Sequence, residues 1–161
     1  MQFSSIFILV VSGIQAGNIT LHRRANDGCK PLTGGMLYDC GSPSDILQIK
    51  QVSMTPSRPQ AGRALKLRIQ GLLRGEVTFG AKVAITGKLR SMRILSVEKD
   101  LCRGSRMTKA LISCPVKPPT FDFQYNTSIP FLTPRGHYTI TATAVSQNNE
   151  QIFNTLFEFD L

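Results

Sequence analysis

The chain has 161 residues, of which 42% are apolar and 18% charged, with no tryptophan and a formal net charge of +9. A basic balance draws a protein toward anionic surfaces such as phospholipid headgroups or acidic glycans. Nucleic acid is excluded as a partner, because the basic residues are scattered, no aromatic residues interleave with them and no binding motif is present.

Phe3 to Ile14 is an apolar run broken only by Ser4, Ser5, Ser12 and Gly13, with small Ala16 and Gly17 after it. This is the layout of a secretory signal peptide over residues 1–16, too short for a membrane span. The alternative is a strand or buried helix of the fold. Leu21-His22-Arg23-Arg24-Ala25 then places a dibasic pair in a polar stretch. It predicts a pro-segment over 17–24 cut after Arg24, or else an uncut basic linker. From Ala25 onward 17 basic residues face 10 acids, a net charge of +7 on 137 residues. That length suits one domain with a sizeable core.

Four cysteines in an exported chain indicate disulfides. Cys29, Cys40, Cys102 and Cys114 are too widely spaced for a zinc cluster, and His137 is the single histidine after residue 24. Three pairings are open, and the sequence-local one (Cys29 with Cys40, Cys102 with Cys114) is the simplest. Each such loop would contribute roughly 3 kcal/mol in the chain-entropy model.

In chain order, residues 25–37 form an N-terminal arm. Asp27 to Gly35 is rich in Gly, Pro and Lys and predicts a loop or loosely held segment. Order is expected from Leu37-Tyr38-Asp39-Cys40-Gly41, with a first strand over Ile46, Leu47, Ile49 and Val52. The proline-punctuated turn from Pro56 to Gly62 could not lie within a helix. Leu65, Leu67 and Ile69 then alternate with Lys66, Arg68 and Gln70, the period of a strand buried on one side. Val83, Ile85 and Leu89 repeat the pattern against Lys82, Lys88 and Arg90. Met92 to Val97 is a further apolar run leading into the segment that Cys102 and Cys114 close. Phe121 and Phe123 alternate with Asp122 and Gln124, and Ile129, Phe131 and Leu132 precede a Pro-Arg-Gly turn. Tyr138, Ile140, Ala142 and Ala144 form a long strand that the polar tip at 146–150 joins to Ile152–Phe159. No stretch of ten residues carries a capped 3.6-residue period. Six or seven short strands split by Gly and Pro predict an all-β sandwich of two antiparallel sheets.

Catalytic chemistry has little to build on. His137 follows a turn and is expected to be a surface residue at a strand start, and the aspartates fall in or near turns. The chain is therefore expected to be no enzyme, with no catalytic residue, metal or cofactor. Asn126-Thr127-Ser128 is a glycosylation sequon, making Asn126 a candidate acceptor.

Several features recur in a known order. Asp39-Cys40-Gly41 precedes a strand, and the Pro56-x-x-Pro59-x-Ala61-Gly62 turn opens an amphipathic one. Ile94-Leu95 runs into Asp100-Leu101-Cys102. Cys114-Pro115 and a Pro134-x-Gly136-x-Tyr138 turn into a threonine-rich strand complete the set. Together they resemble the ML lipid-recognition family, most closely the fungal phosphatidylglycerol/phosphatidylinositol transfer proteins, over residues 38–161. The resemblance implies an immunoglobulin-like sandwich whose sheets splay around an apolar cavity. The expected walls are Leu67, Ile69, Val83, Ile85, Leu89 and Ile94, then Phe121, Phe123, Phe131, Tyr138, Ile140, Phe153 and Phe157. Plain core packing is the alternative for each. In the family the cysteine of the Asp-Cys-Gly motif usually pairs in the last hairpin, where this chain has Gln151-Ile152-Phe153-Asn154. Cys29 is then the favoured partner of Cys40.

The resemblance implies a secreted or vacuolar monomer that carries phospholipid between membranes and touches anionic membrane surfaces transiently. Sterol is the alternative ligand. A cavity-free β-sandwich recognition module is the alternative of another class. Arg103, Arg106 and Lys109 are expected to meet phosphate headgroups beside the Cys102–Cys114 clamp.

Overall fold

The computed structural model describes residues 28–33, 35–102 and 111–161. These residues form nine strands and no helix: β1 Lys30–Thr33, β2 Leu37–Asp39, β3 Leu47–Thr55, β4 Ala64–Leu73, β5 Lys82–Leu89, β6 Met92–Asp100, β7 Thr120–Ser128, β8 His137–Val145 and β9 Gln151–Asp160. Two antiparallel sheets result, one of six strands in the order β1-β2-β9-β8-β5-β6 and one of three in the order β3-β4-β7. The expected all-β sandwich is therefore present. The signal peptide and pro-segment expectations lie outside the described residues.

The strand count and the N-terminal arm depart from expectation. Lys30–Thr33 is a strand, because the Cys29–Cys40 disulfide folds it back beside Leu37–Asp39, with Lys30 opposite Asp39. Composition alone gave that segment no strand period; its ladder comes from a neighbour. The second disulfide joins Cys102 to Cys114, so both sequence-local pairings hold.

Alternation decides which face of each strand turns inward. Leu47, Ile49 and Val52 of β3 lie level with Leu73, Gly71 and Ile69 of β4, which lie level in turn with Phe121 and Phe123 of β7. On the facing sheet, Val83 and Ile85 pair with Ala144 and Ala142, which pair with Phe153 and Thr155. These residues supply most of one contiguous core, with Val77, Ala81, Leu101, Cys102 and Ile152 closing one end. Gly71 is required there. A Cβ on it would come within 2.4 Å of the Gln48 carbonyl oxygen, and β3 carries an irregularity at that level, between Ile49 and Gln51.

The two sides of the sandwich differ. β3 brings its Cα atoms within 8 Å of β1 and, less extensively, of β9, whereas no comparable approach links β6 to β7. The sheets therefore close along β1 and β3 and separate toward β6 and β7.

Candidate functional site between the sheets

Burial on β7 falls from the closed end outward, whereas on β4, β8 and β9 it falls in the middle and returns at the far end, where Leu65, Tyr138 and Phe159 are buried. On β7, Phe121 is 8% exposed, Phe123 is half-buried and Tyr125 is 41% exposed. Their rings stack in sequence, with centroids 6.3 and 6.2 Å apart. A period of two puts all three on one face, and the result is an aromatic ladder from core to solvent. On β4, Leu73 is buried, whereas Ile69 and Leu67 are only half-buried. The facing sheet follows suit: Val83 and Ala144 are buried, but Ile85, Ala142, Ile140 and Phe157 are half-buried.

Residues that face a second sheet yet keep contact with solvent define a cleft rather than a filled core. Small Ala142, opposite Ile85 and Thr155, leaves width at its centre. On the β7 edge a groove of about 440 Å³ opens to solvent, lined by Leu111, Ile112, Phe121 and Phe123 with polar Thr120, Asp122, Gln124 and Lys117. That size lies within the range of small-ligand sites.

The expected wall residues divide into three groups. Leu67, Ile69, Ile85, Phe123, Phe153 and Phe157 are half-buried against the core, and Val83 and Phe121 belong to it. Leu89, Tyr138 and Ile140 lie farther along the same inner face. Tyr138 stacks on Phe159 at 5.3 Å and donates its hydroxyl to the Pro134 carbonyl at 2.6 Å, which fixes the start of β8. The third group stands apart. Ile94, 52% exposed, is the extra residue of a bulge on edge strand β6, at the rim. Phe131 is 80% exposed on the loop after β7, outside the cleft.

Period-two counting stopped one residue short of Tyr125, which continues the Phe121–Phe123 alternation and could have been found that way. Leu111 and Ile112 had no such signal, since they lie on an irregular segment that the Cys102–Cys114 bond holds against β7. Arg103, Arg106 and Lys109 fall outside the described residues. Cys102 itself is 2% exposed within the core, so the clamp is rooted at the closed end while its second half borders the groove. Asn126 is exposed, opposite Lys66 on the outward face of the three-stranded sheet.

Charges sit on the outer surfaces. Arg68 donates from Nε to Asp122 Oδ1 at 2.9 Å, with Gln70 Nε2 adding a bond at 3.3 Å. The Arg68 hydrogen bond holds the Asp122 carboxyl below its usual range. Lys82 pairs with Glu98 across β5 and β6. His137 meets Asp160 through Nδ1 at 3.0 Å, both exposed at a sheet end. Among the described residues no buried side-chain nitrogen or oxygen lacks a partner. Apolar walls with satisfied polar groups suit an apolar guest.

Comparison with known proteins gives a consistent assignment. Residues 34–160 match the family described as ML domain. A phosphatidylglycerol/phosphatidylinositol transfer protein of Emericella nidulans is 32% identical over 114 residues, 70% of this chain and 66% of the relative. One from Neurospora crassa is 29% identical over 67% of this chain and 60% of its own length. The chain thus spans about two thirds or less of these relatives. Among solved structures, a Niemann–Pick type C2 protein from Japanese carpenter ant superposes with a TM-score of 0.53 at 13% identity, covering 76% of this chain and 96% of that one. Chicken MD-1 complexed with lipid IVa also gives 0.53, at 18% identity, over 76% of this chain and 86% of its own. Both likenesses concern the fold.

Proposed function

Since the chain belongs to the ML domain family, we propose that it is a lipid-binding and transfer protein of the secretory pathway, carrying phospholipid between membranes without making or breaking a bond. The observation that carries this reading is the only partial burial of the inward side chains Leu67, Ile85, Phe123, Ala142 and Phe157. A solid sandwich would bury them. Acyl chains laid along these walls are shielded from water at roughly 0.8 kcal/mol per methylene, and the headgroup stays at the wet mouth of the cleft. The names of the fungal relatives favour phosphatidylglycerol and phosphatidylinositol as cargo. Two disulfides in a chain of this size suit an oxidising compartment.

The test is organic extraction of the protein purified from a secreting host, with mass spectrometry of what it held, and transfer of labelled phosphatidylglycerol between vesicles. Bound phospholipid with measurable transfer is the expected outcome. A sterol in its place would replace the cargo, and an empty protein that moves no lipid would sink the proposal.

A further inference from the structure

Three loops meet at the end of the sandwich away from the Cys102–Cys114 bond. They are the turn before β4 (residues 56–63), the β5–β6 hairpin tip (89–93) and the loop between β7 and β8 (129–136). The third touches the other two. The Gly62 amide donates to the Ile129 carbonyl at 2.8 Å, and a Cβ on Gly62 would lie 3.0 Å from Phe131 Cδ2. The Arg90 amide donates to the His137 carbonyl at 2.7 Å, and Leu89, Arg90, Met92 and Arg135 surround one hollow.

What these loops expose is unusual for a protein surface in water. Phe131 is 80% exposed, Leu132 88% and Met92 67%. The same loops contain five arginines (Arg58, Arg63, Arg90, Arg93 and Arg135), all exposed, and no aspartate or glutamate. None of the five forms an ion pair among the described residues. Asp160 at the end of β9, opposite His137, is engaged by that histidine.

We infer that this end is a membrane-docking tip. Phe131, Leu132 and Met92 enter the headgroup boundary of an anionic phospholipid bilayer, and the arginines hold its phosphates. An apolar tip alone would suit any apolar partner. An apolar tip whose loops carry five arginines and no aspartate or glutamate selects a surface that is both greasy and negative, which is the bilayer interface. The location has a consequence for transfer. β7 ends at Ser128, so the Phe121–Phe123–Tyr125 ladder runs toward the loop that carries Phe131 and Leu132. Docking there brings the exposed end of that ladder, Tyr125, toward the membrane. The inference rests on the proposed carrier role only for its purpose, and its test is separable from that role.

The chain contains no tryptophan, so Leu132→Trp introduces a single reporter at a site whose exposure makes folding insensitive to it. With vesicles of phosphatidylcholine and phosphatidylglycerol at about 7:3, emission should shift to the blue and be quenched by brominated acyl chains. Pure phosphatidylcholine should give a much weaker response, as should molar salt, which shortens the screening length to about 3 Å. Adding Arg93→Ala and Arg135→Ala should lower partitioning onto the anionic vesicles roughly thirtyfold, at the usual contribution of a basic residue near such a surface. An unshifted emission in a protein that still transfers lipid overturns the docking tip alone. A shift that depends on protein concentration without vesicles would assign the patch to a second copy and overturn it too. A vesicle-dependent shift in a protein that holds no lipid leaves the tip standing and removes the carrier role.

Discussion

Substitution of Ala142 by phenylalanine distinguishes an open cleft from a packed core, with Ala144→Phe as its partner experiment. The two alanines are neighbours on the inner face of β8, but Ala144 is fully buried between Val83 and Phe153, whereas Ala142 is half-buried between Ile85 and Thr155. Overfilling a packed site costs about 1–3 kcal/mol. At roughly 4 °C per kcal/mol for a domain of this size, Ala144→Phe should lower Tm by about 4–12 °C. Ala142→Phe has space to enter, so its Tm should fall by less than about 4 °C. Its ring occupies the place of an acyl chain, however. Displacing about three methylenes at roughly 0.8 kcal/mol each removes about 2.4 kcal/mol of binding, close to a fiftyfold loss of affinity. Thermal melts by circular dichroism and titration with a fluorescent phospholipid measure the two effects. If Ala142→Phe melts as low as Ala144→Phe while lipid uptake stays at the wild-type level, the inner faces are a solid core and the cleft does not exist.

Removal of the Cys102–Cys114 bond by paired serine substitutions should cost about 3 kcal/mol, from a closed loop of about a dozen residues; a guanidinium midpoint unchanged from wild type would show that the bond is no staple. Gly71→Ala should separate β3 from β4, because its Cβ meets the Gln48 backbone rather than a movable side chain. A loss of at least about 1 kcal/mol is expected, with Ser53→Ala on the outward face of β3 as the silent control in the same urea titration. Asp122 titrates below an ordinary carboxylate because Arg68 holds its charged form. Its contribution is therefore complete above the unfolded pKa and fades as pH falls through the lowered folded value. Carbon-detected NMR of the Asp122 carboxyl should show that midpoint rising toward the ordinary range in Arg68→Ala.

Much of the fold was legible residue by residue. Alternation of Leu65, Leu67 and Ile69 with Lys66, Arg68 and Gln70 set both the strand and its inward face, since side chains on a strand must alternate. The same logic placed Phe121, Phe123, Tyr138, Ile140 and the polar hairpin tip at 146–150. It failed for Lys30–Thr33, whose ladder depends on a disulfide-tethered neighbour, and for the exposed Phe131. In sequence, Phe131 is as apolar as Phe123, and only the path of the loop after β7 turns one outward and the other in.

The chain by itself determined its class, its strands and which face of each is apolar, because these follow from local alternation and turn chemistry. The sequence-local disulfides were the simplest pairing and became the favoured one by family resemblance. Tertiary structure alone decided that the sheets close along β1 and β3 and part toward β6 and β7, which leaves only partly buried residues that would otherwise be core. It also decided that three separate loops, carrying five exposed arginines and no acid, meet at the end that exposes Phe131, Leu132 and Met92. Both depend on how distant segments come together, and no periodicity within a segment encodes that distance.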